Sequence, residues 1–247
     1  MSKYYIHFST IQPRFQNLNG VVNSWLKQTV NFEKIIITTS NLDKRYTSHE
    51  ILEQYKNDKV IIQVLDIDYG PNNKILGALK FYESLEDKDN VYIIICDDDI
   101  IYNEKSIKSY DDYMEKYYIC KDDFIYTYFY TPQCRFINKY YGLEHLQGAD
   151  TYLLTRKFLN FTTYLMYEEY LKNTVYECND TFFQDDYVIS YFIHFICKLK
   201  VKHISPYSSY KKNESISNET QMHKDPKVNE REGNVLKYFN SLILKNQ

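Results

Sequence analysis

The sequence predicts an α/β fold, with a mostly parallel central sheet and helices on both faces. Three observations carry this. Four strand-like runs, at residues 4–8, 34–40, 59–68 and 91–96, alternate with three helical segments. Three of the runs are nearly continuous in apolar residues, as strands buried on both faces are. Polar groups collect just past the carboxyl ends of the runs: Ser9 and Thr10, Asp66 and Asp68, then Asp97, Asp98 and Asp99. Open α/β sheets bind their ligands at that edge.

The elements follow in order. "YYIHF" (4–8) is a short first strand, and "NLNGVVNSWLKQ" places Leu18, Val21, Val22, Trp25 and Leu26 on one helical face. "KIIITTS" (34–40) is an apolar strand. "TSHEILEQY" opens with a capping-box pattern from Thr47 to Glu50 and continues as a helix. "KVIIQVLDID" (59–68) is the third strand, "NKILGALKFYESL" a helix with Ile75, Leu76, Leu79 and Tyr82 at core spacing, and "VYIIIC" (91–96) the fourth strand.

The second half is less regular. "NEKSIKSYDDYMEKYY" reads as a helix, "DDFIYTYFY" as a strand, and "GLEHLQGADTYLLTRKFLNF" as a loop or strand around Gly148 followed by a helix. "QDDYVISYFIHFICKLK" is a strong helix, with Val188, Tyr191, Phe192, Phe195, Ile196 and Leu199 on its apolar face. "VKHIS" (201–205) is a last strand, a polar loop follows, and "NVLKYFNSLIL" closes as a helix. No repeat and no Gly-, Pro- or Ser-rich linker divides the chain, so one domain is expected over 1–247, in parts 1–103, 104–210 and 211–247.

The 247 residues are 44% hydrophobic and 26% charged, enough apolar material for a substantial core. A formal net charge of -3 argues against nucleic-acid binding through bulk charge. Tyrosine at 27 and glycine at 6 fit the coding bias of an AT-rich genome, so the tyrosines are not read as a functional signal. The five cysteines (Cys96, Cys120, Cys134, Cys178, Cys197) show no CxxC pair, which suggests reduced thiols and no zinc site. "MSKYYIHFSTIQ" lacks a signal-peptide core, and no run reaches the length of a membrane span. The expectation is a soluble, cytoplasmic protein, with peripheral membrane association still open.

Five features carry chemistry. Asp97–Asp99 end a buried strand, where their oxygens suit Mg2+ or Mn2+ and a bridged diphosphate. The alternative is a solvated acidic turn, since Asp66-Ile67-Asp68 and Asp87-Lys88-Asp89 match the same DxD pattern. In "DYGPNNKILGAL", a turn at Gly70-Pro71 and Lys74 in the first helical turn make an anion site; the simpler reading is an ordinary surface lysine. Asp185 and Asp186 open a helix, either as dipole partners or with one as a general base. Gly148 lets backbone approach a ligand, though turn glycines are common. His223 lies in the polar loop, solvated or closing over the site as a ligand.

Together and in this order, "STIQPRF", "DYGPNNKILGAL", "VYIIICDDDIIY", "GADTYLLTRKFL" and "QDDYVIS" resemble metal-dependent glycosyltransferases of the GT-A fold, family 2-like, in a bacterial, viral and protist branch with GPxxK and DDD motifs. The likeness spans residues 4–200. It implies a Rossmann-like GT-A sheet, with 1–103 as the nucleotide-sugar half, 104–210 as the acceptor and catalytic half, and 211–247 as a polar loop and closing helix. It implies Asp99 as the principal metal ligand, with Asp97 on the ribose or metal, Asp98 supporting and His223 a further ligand. Thr10 and Arg14 would lie along the nucleotide, Asp66 near base or ribose, and Lys74 near the nucleotide. Gly148 and Asp150 would face the acceptor, although Ala149-Asp150 departs from the commoner small or apolar pair. Asp186 would be the base of an inverting transfer, with Asp185 the alternative. The cofactor would be Mn2+ or Mg2+ and the donor a UDP-sugar. The acceptor would be a glycan, lipid-linked or protein hydroxyl, as in glycan biosynthesis. Two other functions stay open. One is a nucleotidyltransferase, which would call for glycines that "FSTIQPRFQN" lacks. The other is an inactive nucleotide-binding scaffold.

Overall fold

The structure is a computed structural model and describes residues 2–41, 50–117, 124–127, 146–148, 151–204, 211–212 and 226–245. Its centre is a seven-stranded sheet in the order β3-β2-β1-β4-β7-β6-β8. The strands are β1 (Lys3–Ser9), β2 (Lys34–Ser40), β3 (Val60–Leu65), β4 (Val91–Ile95), β6 (Phe124–Thr127), β7 (Tyr152–Leu154) and β8 (Lys200–His203). The first four run parallel, with Ile6 opposite both Ile35 and Ile94. β7 runs antiparallel to β4 and β6, and β8 is parallel to β6. β5 (Ile100–Ile101) and β9 (Lys211–Lys212) form a separate short antiparallel pair. The expected α/β class, mostly parallel, is what is found.

Parallel neighbours need crossover connections. A 3-10 turn at Gln12–Asn17 with α1 (Asn19–Leu26) joins β1 to β2, and a 3-10 helix at Glu50–Tyr55 precedes β3. α2 (Asn73–Glu83) joins β3 to β4. The remaining helices are α3 (Ser106–Tyr117), α4 (Phe161–Glu177), α5 (Asp185–Tyr191) and α6 (Val228–Lys245).

Alternation along the strands builds two cores. Tyr4, Ile6 and Phe8 of β1 with Tyr92 and Ile94 of β4 pack on Val21 and Trp25 of α1 and Tyr110 of α3. Ile93 and Ile95 point to the opposite face, against Ile75 and Leu79 of α2, Tyr167 of α4, Val188 of α5 and Phe239 of α6. Helices therefore cover both faces.

Several elements differ from the sequence reading. The helix at "TSHEILEQY" is a 3-10 helix over Glu50–Tyr55, and Thr47 of its capping box lies outside the described residues. β3 ends at Leu65, which leaves Asp66 and Asp68 beyond the ladder. The helix after Gly148 starts only at Phe161, because the Asn160 side chain accepts the Thr163 N–H at 2.8 Å and caps it there. The acidic helix changes at Phe192 into a π-helix, Phe192–Ile196, where the Cys197 N–H reaches back to the Phe192 carbonyl.

Candidate functional site

The strand order reverses between β1 and β4: β1 leads outward to β2, and β4 lies on its other side. A crevice at such a switch point is where open α/β sheets hold ligands. Thr10 and Arg14 follow β1, and Asp97–Asp99 follow β4, so the fold brings these residues to one place.

The three aspartates are not equivalent. Asp98 is buried, with its side chain 5% exposed, and its Oδ1 is paired with Nη1 of Arg14. Asp97 and Asp99 keep 30% and 19% of their side-chain exposure. Arg14 Nη2 lies 4.0 Å from Asp99 Oδ2. Tyr102 fixes the turn: its hydroxyl accepts the Asp97 N–H at 2.9 Å and donates to the Gly148 carbonyl at 3.4 Å, while its ring stacks on Trp25.

Asp97 Oδ1 pairs with Lys74 Nζ at 2.7 Å, and Lys74 Nζ pairs in turn with Asp185 Oδ2 at 2.6 Å. Lys74 is therefore not the surface lysine of the simpler reading; its side chain is 5% exposed. Burial works against its charge, but Asp185 and Asp97 outweigh burial and raise its pKa well above the ordinary lysine value. The turn before α2 sets this up. Gly70 has φ +63°, and a Cβ there would sit 2.5 Å from the Phe182 carbonyl oxygen, so the turn packs directly on the segment leading to Asp185.

Asp186 pairs with backbone instead, and its Oδ1 accepts the Gly148 N–H at 3.2 Å. Burial, followed by the neighbouring Asp185, raises the Asp186 carboxyl well above the usual carboxylate range. Burial also raises Asp185, with Lys74 opposing it. Gly148 belongs at this point because a Cβ there would lie 2.2 Å from Asp97 Oδ1 and 2.3 Å from Lys74 Nζ. Thr151, at the end of the same turn, holds φ 70°, an unfavourable value for a β-branched residue. Its N–H donates to the Gly148 carbonyl at 3.1 Å, and its Oγ1 is hydrogen-bonded to the Tyr110 hydroxyl at 2.8 Å.

Four buried polar atoms around this point, Thr10 Oγ1, Asp98 Oδ2, the Tyr152 hydroxyl and Asp185 Oδ2, have no hydrogen-bond partner among the described residues, Asp185 Oδ2 having only its ion pair with Lys74. Buried polar atoms are normally satisfied, so such atoms suit a polar ligand. Asp66 lies apart: its side chain is 87% exposed, 3.7 Å from Lys80 at the end of edge strand β3. Asp150 and His223 lie outside the described residues. Among the described residues no three His, Cys, Asp or Glu side chains form a group that could hold a metal. Asp97 and Asp99 do fit one as a partial set of hard oxygens, since Mg2+ and Mn2+ accept one or two carboxylates and fill their shell with water or phosphate. No helix of the described residues is long and apolar enough to cross a membrane.

The sequence reading gave no role to Ser190 or Tyr152, and met Tyr102 only as the end of a motif. Ser190 Oγ accepts the Leu146 N–H at 3.0 Å and donates to the Asp186 carbonyl at 2.6 Å, joining the Gly148 loop to α5. Tyr152 is fully buried, and Lys74, Asp185 and Asp186 all act on its hydroxyl electrostatically. Neither has a signature in sequence; both are found only through their tertiary partners.

No family model matches the chain, and no curated protein matches it. Among solved structures, TarS 1–349 of S. aureus is 18% identical with a TM-score of 0.38, over 50% of this chain and 34% of that one. The same protein in complex with UDP-GlcNAc is 19% identical with a TM-score of 0.37, over 51% and 33%. The mannosyltransferase PcManGT from Pyrobaculum calidifontis, in complex with GDP-Man and Mn2+, is 8% identical with a TM-score of 0.43, over 64% and 45%. The chain thus spans less than half the length of each of these proteins. At this level of likeness nothing carries over residue by residue.

Proposed function

We propose that the chain transfers a sugar from a nucleoside-diphosphate sugar to an acceptor hydroxyl. The observation that carries the reading is the meeting, at the switch point, of Asp97–Asp99 after β4 with Asp185 and Asp186 at the start of α5. One carboxylate group lies where a donor would bind, and a second, of raised basicity, lies beside it. That is what a displacement with proton removal requires.

In this reading Thr10, Arg14, Asp97 and Asp98 lie along the donor, while Asp66, which the family resemblance would put near the base or ribose, stands apart at the edge strand. The unsatisfied Thr10 Oγ1 and Asp98 Oδ2 support that placement. Asp97 and Asp99 would hold Mn2+ or Mg2+, which when bound supplies positive charge against the leaving diphosphate. The acceptor oxygen bonds to the anomeric carbon as its proton passes to a carboxylate oxygen of Asp186. The bond from that carbon to the diphosphate oxygen breaks, and its electron pair leaves with the nucleoside diphosphate. One such displacement inverts the anomeric centre. UDP is the default nucleotide through the family resemblance, and Gly148 and Asp150 would face the acceptor.

The test is turnover of a sugar-nucleotide panel with Mn2+ by the wild type, Asp99→Ala and Asp186→Ala, with NMR of the product. Asp99→Ala should abolish metal-dependent turnover, and the product should show inverted configuration. Full turnover by Asp99→Ala would refute the site assignment, and a retained anomer would refute the single displacement. A thermal midpoint that UDP, GDP and Mn2+ all leave unmoved would favour the inactive scaffold.

A further inference from the structure

Three carboxylates and one ammonium meet where the end of β4 faces the start of α5. Lys74 Nζ lies 2.7 Å from Asp97 Oδ1 and 2.6 Å from Asp185 Oδ2, with 5% of its side chain exposed. An ammonium has three N–H donors; Asp97 Oδ1 accepts one, and Asp185 Oδ2 sits against the charge as an ion pair. Gly148 closes a further side, so tightly that a Cβ there would lie 2.3 Å from Nζ. That side is therefore closed to a phosphate oxygen, which needs about 2.7–2.9 Å from the ammonium nitrogen. Asp185 and Asp186 are consecutive in a helix, about 100° apart around its axis. With Asp185 drawn to Lys74, Asp186 is turned toward the Gly148 N–H instead.

We propose that Lys74 is a positioning residue that ties Asp185 to Asp97, so that Asp186 is the carboxylate presented to the acceptor, and that it does not grip the donor's phosphates. The proposal rests on the glycosyltransferase reading and extends it, assigning the GPxxK lysine to the acceptor-side base. It joins two distant segments through one buried ammonium, since Asp97 follows β4 and Asp185 opens α5.

The experiment compares wild type, Lys74→Met, Asp185→Asn and the double variant. It measures UDP affinity by calorimetry with Mn2+, and steady-state turnover of UDP-glucose and UDP-N-acetylglucosamine. A positioning lysine predicts a kcat loss of about a hundredfold or more in Lys74→Met, the scale expected when a reacting group is misplaced by about 1 Å. The donor KM and the UDP Kd should stay within about twofold. In the double variant the loss should be no deeper than in the worse single, because residues acting through one contact are non-additive. A UDP Kd weakened about tenfold with kcat retained at saturating donor would overturn the proposal, and so would fully additive losses. If Lys74→Met does not fold, the double variant, which removes both charges of the pair, carries the UDP titration: unchanged affinity supports the proposal and a tenfold loss overturns it. Wild type that binds UDP but turns over neither sugar nucleotide refutes the transferase reading alone, and the titration then decides for Lys74. Wild type that does neither overturns both.

Discussion

Adding a single methyl group at Gly148 should disrupt the centre of the site. In Gly148→Ala the new Cβ would sit 2.2 Å from Asp97 Oδ1 and 2.3 Å from Lys74 Nζ, where ordinary contact begins at 3.4 Å. Each group must retreat by about 1 Å, yet neither is a loose chain end. Lys74 is held from the other side by Asp185 at 2.6 Å, and the backbone N–H of Asp97 is held by the Tyr102 hydroxyl at 2.9 Å. Overpacking costs about 1–3 kcal/mol. Disturbing a buried charge-assisted hydrogen bond costs about 1.5–3 kcal/mol more. A total of about 3–5 kcal/mol corresponds, for a chain this size, to a midpoint lower by about 10 °C. Differential scanning calorimetry measures it. The same substitution in an Asp97→Ala background, where one obstructing group is gone, should cost markedly less. If Gly148→Ala melts within about 2 °C of wild type, the close approach of Gly148 to the Lys74–Asp97 pair is wrong.

Three further outcomes are expected. Asp186→Asn should lose turnover by a factor of about 100 or more, yet melt a few degrees higher at neutral pH, because it removes a charge that burial disfavours while keeping an acceptor for the Gly148 N–H. A carboxyl whose pKa is raised in the folded state holds its proton more tightly there than in the unfolded chain. Its contribution to stability is therefore full below the ordinary carboxylate pKa and is lost as pH rises through the folded value. Turnover, which needs the ionised base, should rise over that same interval; parallel melting curves and rate profiles check the opposed slopes, and Asp186→Asn should flatten the first. Arg14→Met should cost about 3–5 kcal/mol in urea unfolding by leaving Asp98 buried without its cation, and Arg14→Met/Asp98→Asn should recover most of it.

The sheet was legible because β1, β2 and β4 are so apolar that little besides a doubly covered strand accommodates them. The ends of elements were less so. Asn160 stops a helix from starting earlier through one side-chain bond, and nothing in the apolar period of "TRKFLNF" shows that bond. The acidic residues after β4 could be picked out by their place at a strand end, and Asp185 and Asp186 by their place at a helix start. What could not be read was that one lysine joins them. Lys74 is separated from Asp185 by the whole middle of the chain, and a lysine after a turn looks the same in sequence whether it faces water or two carboxylates. The burial of Lys74 is decided by Gly70, which brings the turn against the Phe182 backbone, and so by a contact between distant segments.

Three adjacent aspartates at the end of a buried strand pose a repulsion problem, and the fold solves it by separating them. Asp98 turns inward onto Arg14, which the 3-10 turn after β1 supplies. Asp97 turns onto Lys74, which α2 supplies from the crossover between β3 and β4. Asp99 remains partly exposed, with the second guanidinium nitrogen at 4.0 Å. Both counter-ions come from crossover segments, so neither pairing exists until the parallel strands have assembled. The charge balance is still incomplete: Arg14 and Lys74 face Asp97, Asp98, Asp99, Asp185 and Asp186 among the described residues. Two cations cannot neutralise five carboxylates. That excess favours a proton on Asp186, whose carboxyl is raised by burial and by Asp185, and favours positive charge near Asp97 and Asp99, which keep part of their side-chain exposure. Under the proposed transfer, the acid that takes the proton and the pair that faces the donor are then different residues.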